Sequence, residues 1–88
     1  MSKITFSDRA WGEYCYWQTQ DKKTLKRINI LLADICRNSF KGKGKPEPLK
    51  GDLSGYWSRC IDDVNRLVYE ITIDGVEVIQ CKGHYDNK

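Results

Sequence analysis

The sequence predicts a single α+β domain, and three observations carry that prediction. An apolar stripe recurs at helical spacing between Leu25 and Ile35. Apolar and polar residues then alternate over residues 65–73, ahead of an Asp74-Gly75 pair that is typical of a two-residue hairpin turn. A chain of 88 residues can build one modest core and no second one. We therefore expect one domain over residues 1–88, with two helices packed on one side of an antiparallel sheet.

The N-terminal elements are predicted from capping signals. Residues 4–6 have the composition of a short strand, and Ser7 is a good N-cap for a helix that begins at the next residue. Phe6 and Trp11 occupy the positions of a hydrophobic staple on either side of that cap. This first helix should end just before Asp21, which can cap a second helix.

The second helix has the clearest pattern in the sequence. Its apolar residues recur at spacings of three, four and three, which indicates a stripe facing the core: Leu25, Ile28, Leu32 and Ile35. Its basic residues fall mainly outside that stripe: Lys22, Lys23, Lys26 and Arg27. The prediction is therefore an amphipathic helix with a basic exposed face.

Residues 38–55 form a long segment broken by glycine and proline. Loops of this length in a small domain are usually functional or disordered. Pro46 and Pro48 stiffen the segment, so we expect a shaped loop. It carries Glu47 among basic residues, namely Lys41, Lys43, Lys45 and Lys50.

The last third of the chain is predicted to be β. Strands are expected over residues 56–61, 65–73 and 76–82, joined by turns at Asp62-Asp63 and Asp74-Gly75. With the N-terminal strand, this gives a sheet with about three further antiparallel strands.

Charge is distributed unevenly along the chain. Nine lysines and arginines accompany two acids between Lys22 and Lys50, a net charge of +7, whereas the rest of the chain carries −4. A segment this basic suggests a polyanionic partner, most plausibly a nucleic acid. A solvated, lysine-rich surface helix would have the same composition, so charge alone does not decide between the two.

Composition argues against several other classes of protein. The four cysteines are far apart and the chain has one histidine, so we expect free thiols in a reducing cytosol, with no structural zinc and no cofactor. No apolar run has the length of a signal peptide or a membrane span. The expected location is the cytoplasm, with no membrane partner.

Counting along the predicted hairpins brings polar residues together. If both turns have two residues, Arg66 faces Gly83 and Arg59 faces Arg66, with His84 and Tyr85 beside them at one end of the sheet. A slip of one residue would move these side chains to the opposite face. The counting therefore predicts that these residues lie close together at one end of the sheet, whereas the face to which each side chain points depends on the exact register.

Such a cluster suits RNA cleavage. Two arginines can bind a phosphodiester, and a histidine can donate or accept a proton near neutral pH. Glu47 supplies a carboxylate from the loop. A base could take the proton of the ribose 2′-OH, and an acid could protonate the leaving 5′ oxygen without a metal.

Structural explanations also fit these residues. His84 could be an exposed or capping residue near the C-terminus, Arg59 and Arg66 could pair with the Asp62-Asp63 turn, and Glu47 could neutralise its lysine neighbours. The residues alone leave these alternatives open.

Several motifs together resemble the YoeB/Txe branch of the RelE toxin superfamily. They are the Tyr-Cys-Tyr-Trp-Gln run at 14–18, the basic helix at 22–29, Gly-Lys-Gly-Lys-Pro-Glu-Pro-Leu-Lys at 42–50, Leu-Ser-Gly at 53–55, Trp-Ser-Arg at 57–59, Asn-Arg-Leu-Val-Tyr at 65–69 and His-Tyr at 84–85. The resemblance extends over essentially the whole chain and implies a RelE-like fold, with residues 86–88 as a flexible tail.

The resemblance also implies a role for individual residues. Glu47 matches the general base, and Arg66 matches the arginine that stabilises the transition state. His84 matches the general acid, and Tyr85 matches the tyrosine that orients the substrate. The expected substrate-binding residues are basic: Lys43, Lys45, Lys50 and Arg59.

The implied activity is that of the toxin in a type II toxin–antitoxin pair. It would be a metal-independent endoribonuclease that cuts mRNA in the ribosomal A site, silenced by a Phd/YefM-type antitoxin. Operator DNA would be bound only through the toxin–antitoxin complex, and a homodimer is possible. The alternatives are a non-catalytic RNA- or ribosome-binding module with a degenerate active site, and a pure interaction protein.

The chain departs from the family pattern near the expected site. Cys60 follows Arg59 where relatives usually carry a second arginine, and Val64 replaces an acid two positions before Arg66. Gly83 replaces a larger residue, and the chain continues beyond Tyr85. The first two changes alter the charge around Arg66.

Overall fold

The computed structural model of the chain describes residues 3–85, so the tail expected at residues 86–88 lies outside the described residues. Its helices are α1 (Asp8–Gln20) and α2 (Lys22–Arg37), and a short 3₁₀ turn spans Gly51–Leu53. Its strands are β1 (Lys3–Phe6), β2 (Glu47–Pro48), β3 (Trp57–Cys60), β4 (Arg66–Thr72) and β5 (Gly75–Gln80).

The five strands form one sheet in the order β1-β5-β4-β3-β2. The predicted α+β class and element order are confirmed, with two differences of detail. β1 runs parallel to β5, so the sheet is mixed, whereas the other pairs are antiparallel. β2 is an additional two-residue edge strand inside the predicted loop, and it carries Glu47.

Both helices begin at their predicted caps. The Ser7 hydroxyl accepts a hydrogen bond from the N–H of Ala10 at 3.1 Å. The Asp21 carboxylate accepts two backbone N–H bonds from the first turn of α2, each at 3.1 Å. The rings of Phe6 and Trp11 lie 5.8 Å apart, as a hydrophobic staple requires. Caps of this kind contribute about 1 kcal/mol each.

The core lies between the helices and one face of the sheet. Its buried members come from both helices and from β4 and β5, and include Ala10, Trp17, Ile28, Leu31, Ile35, Leu67, Tyr69, Val76 and Val78. Because side chains alternate along a strand, the residues between these point to the opposite face. That outer face carries Ser58, Cys60, Arg66, Val68 and Gln80.

The hairpin between β4 and β5 turns one residue earlier than predicted. Thr72 pairs with Gly75, so the turn residues are Ile73 and Asp74. A β-bulge at Val68/Tyr69 then shifts the register further along. The earlier turn shifts the pairing by two positions, and the extra residue of the bulge recovers one of them. Arg66 and Gly83 therefore remain neighbours, as counting predicted, and the Arg66 N–H donates to the Gly83 carbonyl at 3.0 Å.

The connection between β3 and β4 is longer than the predicted turn. The N–H of Ile61 donates to the carbonyl of Asn65 at 3.0 Å, which leaves three residues in the loop. Cys60 therefore pairs with Arg66, and Arg59 pairs with Leu67. The predicted facing of Arg59 and Arg66 is wrong, because the extra loop residue puts the two side chains on opposite faces of the sheet.

Across residues 3–85, neither helix is both long enough and apolar enough to cross a membrane.

Candidate active site

The C-terminal segment crosses the outer face of the sheet and creates the candidate site. It leaves β5 at Gln80, whose side-chain amide donates to the carbonyls of Gly83 at 3.0 Å and His84 at 2.9 Å. Tyr85 then reaches across β4 to β3 and β2. Val68, on the same outer face, is only 1% exposed.

A chain of hydrogen bonds joins three residues of this face. The Tyr85 hydroxyl donates to Glu47 Oε1 at 2.8 Å, and its oxygen lies 2.8 Å from the Ser58 hydroxyl. A carboxylate can only accept, so the single phenolic proton belongs to the bond with Glu47. Ser58 is therefore the donor to Tyr85. The chain connects β3, the C-terminal segment and β2.

Tyr85 keeps its proton in this arrangement. Burial raises the pKa of the Tyr85 phenol above its ordinary value, and the carboxylate of Glu47 adds to that rise. The Ser58 hydrogen bond and the positive charge of Arg66 act in the opposite direction on the same pKa. Arg66 lies on the same face of the sheet as Ser58, because it pairs with Cys60 while Ser58 pairs with Val68. Tyr85 is thus a neutral donor that is bonded to a carboxylate on a face that also carries a cation.

Arg66 begins β4 and is half-buried on the outer face. Its guanidinium Nη1 donates to the backbone carbonyls of Asp62 at 2.7 Å and Asn65 at 3.2 Å. Both acceptors belong to the loop before β4, so this side chain is held at the end of the sheet. A guanidinium has five N–H donors, and those beyond these two bonds are available for a phosphate.

His84 is exposed beside this cluster. Its backbone carbonyl is held by Gln80, and Gly83 accepts a bond from Arg66 and donates one to the Asn65 side chain at 2.8 Å. These bonds fix the backbone before the imidazole and leave the ring facing solvent. The structure therefore brings Glu47, Arg66, His84 and Tyr85 to one face of the sheet.

The predicted lysines are exposed along the loop that leads to β2 and beyond it: Lys43, Lys45 and Lys50. Lys45 has a left-handed backbone, with φ of 53°. Non-glycine residues rarely adopt that conformation, and they do so mostly where surrounding contacts enforce it. The three lysines thus add exposed positive charge before and after β2.

Arg59 is not a substrate-binding residue in this structure, which corrects the prediction. Its side chain is 0% exposed and lies on the core face of β3. Its guanidinium donates to Asp34 Oδ2 at 2.6 Å and to the Tyr69 hydroxyl at 3.2 Å. Its remaining bonds go to three loop carbonyls, those of Asn38, Lys41 and Lys43. These contacts leave no face of the guanidinium for a phosphate.

The buried pair of Arg59 and Asp34 shapes the loop that carries Glu47. Asp34 also accepts the backbone N–H of Lys43 at 2.9 Å. The Lys43 N–H is the largest influence that holds the pKa of the Asp34 carboxyl below its ordinary value, and the hydrogen bond from the Arg59 guanidinium is the next largest. The loop is therefore tied to α2 and β3 through its backbone, and the prolines are not its only constraint.

Three residues of this region were not predicted as functional: Ser58, Gln80 and Asp34. Ser58 and Gln80 hold the C-terminal segment by hydrogen bonds that no sequence spacing reveals. Asp34 gave a weak signal, since it is the single acid in the otherwise basic sequence of α2. A buried arginine needs a buried acceptor, so that acid was a candidate partner.

Between residues 3 and 85, no three His, Cys, Asp or Glu side chains are grouped so that they could hold a metal ion. The polar groups of the site are instead linked to one another, and they are of the kinds that donate and accept protons.

The architecture defines the chain first as a RelE-like α+β domain. YafQ, in a solved structure of the DinJ-YafQ complex from E. coli, superimposes with a TM-score of 0.79 at 17% identity, over 96% of this chain and 94% of that one. Similarity at this level of identity shows a shared fold alone.

Closer comparisons identify the family. The model of the YoeB-like toxins of bacterial type II toxin–antitoxin systems matches residues 6–85. Toxin YoeB of Streptomyces coelicolor is 58% identical over 94% of this chain and 99% of its own length. Toxin YoeB of Escherichia coli K12 is 49% identical over the same shares. The chain therefore belongs to the YoeB-like toxin family, the toxin component of type II systems.

Solved structures of relatives agree. A YoeB/ParE toxin from Agrobacterium tumefaciens superimposes with a TM-score of 0.91 at 45% identity, over 94% of this chain and 99% of that one. The YoeB dimer from Staphylococcus aureus gives 0.90 at 47%, over 96% and 98%. A heterotetrameric YoeB-YefM toxin–antitoxin complex from the same organism gives 0.89 at 46%, over 97% and 99%.

Proposed function

We propose that this toxin is an endoribonuclease that cleaves mRNA in the ribosomal A site and so inhibits translation. The observation that carries the proposal is the hydrogen-bonded chain of Ser58, Tyr85 and Glu47 beside Arg66. It links a carboxylate, a neutral hydroxyl and a nearby cation on one open face. That combination suits acid–base chemistry on a phosphodiester.

The proposed reaction uses the RNA's own nucleophile. A base removes the proton of the ribose 2′-OH, and the resulting oxygen attacks the adjacent phosphorus. The bond from phosphorus to the 5′ oxygen breaks, and an acid protonates that leaving oxygen. The products are a 2′,3′-cyclic phosphate and a free 5′-OH, with no net consumption of protons or water.

Glu47 is the proposed base. It is exposed on the edge strand β2, within reach of a bound ribose. One carboxylate oxygen accepts the Tyr85 proton, and no hydrogen bond from residues 3–85 occupies the other. That second oxygen is the one that would take the 2′-OH proton. General base catalysis of this kind contributes about 10²–10⁴ in rate.

Arg66 and Tyr85 are proposed to stabilise and orient the phosphate. Arg66 presents a fixed positive charge at the end of β4, where negative charge would develop on the phosphorane oxygens. Tyr85 is a neutral hydroxyl donor whose position is set from two sides by Ser58 and Glu47. Removing one such donor typically costs a few kcal/mol of transition-state stabilisation.

His84 is the proposed acid. Its backbone is anchored by Gln80, and its side chain is exposed, so the imidazole is accessible to a leaving group. An imidazole is suited to donate a proton near neutral pH. Lys43, Lys45 and Lys50 are proposed to contact RNA phosphates around this centre, since all three are exposed beside β2.

The proposed partners follow from the family and from the charge of the site. The relatives from Staphylococcus aureus form a YoeB dimer and a YoeB-YefM complex. We propose that this toxin likewise binds a YefM-type antitoxin, whose acidic groups would cover Arg66 and His84, and that it can form a homodimer. Operator DNA would be bound only through the toxin–antitoxin complex. Its targets, mRNA and the ribosome, place its action in the cytoplasm.

The proposal is tested by primer extension on a defined mRNA with purified protein, with and without programmed ribosomes. The parent should cut at the A-site codon only when ribosomes are present. His84→Gln, Glu47→Ala and Arg66→Gln should each lose cleavage by about 10² or more while still binding ribosomes.

A matched control separates catalysis from binding. Arg9→Gln removes an exposed charge on α1, which packs on the core face of the sheet, and should leave cleavage unchanged. If His84→Gln and Glu47→Ala cut as well as the parent, the catalytic assignment is wrong. If the parent binds ribosomes tightly and never cuts, the chain is an RNA-binding module with a degenerate site.

A further inference from the structure

A groove extends from the candidate site along α2. A cavity of about 380 Å³ lies beside Arg66 and is lined by α2, the loop before β2 and the β3–β4 connection. A second cavity of about 380 Å³ adjoins it and continues toward Lys23. The two share Arg27, Ile61 and Asp62 in their walls, and together they are here called the α2–β3 groove.

Arg27 stands at the middle of this groove. It is half-buried, and its Nη2 donates to the Cys60 carbonyl at 3.4 Å, a long bond that holds the side chain against β3. No other hydrogen bond or ion pair within residues 3–85 involves its guanidinium. A half-buried arginine with most of its N–H donors unused is suited to bind an anion in two-point fashion.

Part of the groove wall is built by a tight backbone contact. The Cys60 N–H donates to the Gly44 carbonyl at 2.7 Å. A Cβ at Gly44, where φ is +81°, would lie 2.9 Å from Leu31 and 3.1 Å from the Cys60 carbonyl oxygen. Only glycine fits there, and the next residue is Lys45 with its left-handed backbone. Lys45 lines the same cavity as Arg27.

Cys60 forms part of the cavity wall between these cations. It pairs with Arg66 across β3 and β4, so it shares the outer face with the candidate site. Its backbone carbonyl accepts the bond from Arg27, and the residue lines the same space as Arg27, Lys45 and Arg66. The cavity and the candidate site are therefore continuous through Cys60 and Arg66.

The charge of the groove is positive despite two acids in its wall. Four cations line it: Lys23, Arg27, Lys45 and Arg66. Asp62 and Asp63 also line it, and the Asp62 carboxylate already accepts backbone N–H bonds from Val64 at 2.8 Å and Asn65 at 2.7 Å. A chain of regularly spaced negative charges fits this groove better than a single anion, since the cations are spread along it.

We infer that the α2–β3 groove binds the RNA phosphodiester backbone next to the cleaved bond, with Arg27 as its central phosphate ligand. The inference rests on the proposed function, because Arg66 belongs to both surfaces. The phosphates could belong to mRNA or to ribosomal RNA. Arg27 binds RNA without taking part in the bond-breaking step.

The experiment compares Arg27→Gln with Lys26→Gln, the neighbouring exposed residue of α2, which lines neither cavity. Both variants lose one positive charge, so long-range electrostatics change equally. The first measurement is the affinity for a single-stranded RNA oligonucleotide carrying 2′-O-methyl groups, which cannot be cleaved, over a range of salt concentrations. The second is KM and kcat for ribosome-dependent cleavage.

Arg27→Gln should weaken oligonucleotide binding by about three- to tenfold and reduce the slope of log affinity against log salt by about 0.7, the value for one phosphate contact. KM should rise with kcat within about twofold, because ground-state binding is lost. Arg27→Lys should recover most of the affinity, and Lys26→Gln should resemble the parent. Thermal melting of each variant confirms that it is folded.

The outcomes separate the sources of phosphate. Weaker binding to the oligonucleotide and to the programmed ribosome, but not to the empty ribosome, assigns the groove to mRNA. Weaker binding to ribosomes with and without mRNA assigns it to ribosomal RNA. Equal effects of Arg27→Gln and Lys26→Gln overturn the inference. So does an Arg27→Gln variant that binds RNA normally but loses affinity for the antitoxin, which would make the groove a peptide site. If the parent never cuts RNA, the oligonucleotide measurement still tests the groove alone.

Discussion

The guanidinium of Arg59 donates to the carboxylate of Asp34 at 2.6 Å inside the protein, and this pair ties the loop before β2 to α2. Arg59 also donates to three carbonyls of that loop. The proposed base Glu47 follows the loop directly. The position of the base therefore depends on a charged pair on the other side of the sheet.

Replacement of Arg59 should destabilise the fold. Arg59→Met leaves the Asp34 carboxylate and three loop carbonyls without their donor, and the loss of one partner of a buried pair costs about 3–5 kcal/mol. The matched control is Arg37→Met. Arg37 pairs with the other carboxylate oxygen of Asp34 at 3.6 Å, but its side chain lies on the surface and is 72% exposed. That variant should lose at most about 1 kcal/mol. Urea unfolding measures both, and equal losses would contradict the assignment.

Acid should weaken the contribution of Asp34. Its pKa is lowered in the fold, chiefly by the Lys43 N–H and then by Arg59, so the folded state favours the charged carboxylate. The stabilisation is fully present above the ordinary carboxyl pKa of about 4 and is lost as the pH falls through the lower folded pKa.

The check compares the urea midpoints of the parent and Asp34→Asn from neutral pH downward. Asp21 and Asp62 also have lowered pKa values, so the parent alone would reflect several groups. The difference between the two proteins should be constant above about pH 5 and should shrink below about pH 4. A difference that grows as the pH falls would have the wrong sign.

Substitution of two glycines should distinguish the cost of a left-handed backbone from the cost of a steric clash. Gly44 and Gly55 both have positive φ, +81° and +97°, but a Cβ would meet neighbours within 3.1 Å at Gly44 and nothing within 4 Å at Gly55. Gly55→Ala should therefore cost only the left-handed conformation, about 1–2 kcal/mol. Gly44→Ala should cost more and should also disturb the Cys60–Gly44 bond. Thermal denaturation of the pair tests this, and equal losses would mean that the loop moves away freely.

Ser58 should affect catalysis through Tyr85. Ser58→Ala removes the donor to the Tyr85 oxygen, while the Tyr85 bond to Glu47 remains possible. We expect kcat to fall by about tenfold with little change in KM, since the orientation of Tyr85 is lost but binding is not. Ser58→Thr, which keeps the hydroxyl, should recover part of the rate. A change confined to KM would place Ser58 in binding instead.

The four cysteines should differ in reactivity. Cys81 is fully buried, and burial together with the nearby Glu13 carboxylate raises the pKa of its thiol to about 12. Because the thiolate is the reactive form, Cys81 should resist a thiol reagent in the native protein. The half-buried Cys15, Cys36 and Cys60 should react first. Titration with and without urea, using Cys81→Ala as reference, identifies the slow thiol.

Local signals allowed most of the secondary structure to be predicted. The caps at Ser7 and Asp21 set the helix starts because each side chain satisfies N–H groups only a few residues away. The position of Arg66 next to Gly83 was also predicted, although by a route with compensating errors in the turn and the bulge. Glu47, Arg66, His84 and Tyr85 were proposed from motifs, and their roles stay predictions.

The wrong pairing of Arg59 with Arg66 arose because the strand register was counted through a turn whose length was assumed. Whether the β3–β4 connection has two or three residues depends on how Asp62 binds the backbone N–H groups after it. The third residue of this loop shifts the pairing of β3 and β4 by one position, and this shift places Arg59 in the core and not in the site. No periodicity in the sequence contains this information.

The sequence by itself determined the two helices, the strands other than β2 and the family, because caps, apolar periodicity and motifs act over short distances along the chain. Only the tertiary structure decided that β1 runs parallel to β5, that Arg59 is buried against Asp34, and that Tyr85 crosses the sheet to Glu47. Those relationships join residues far apart in sequence. They are set by register and by the pairing of buried charges, which exist only once the chain has folded.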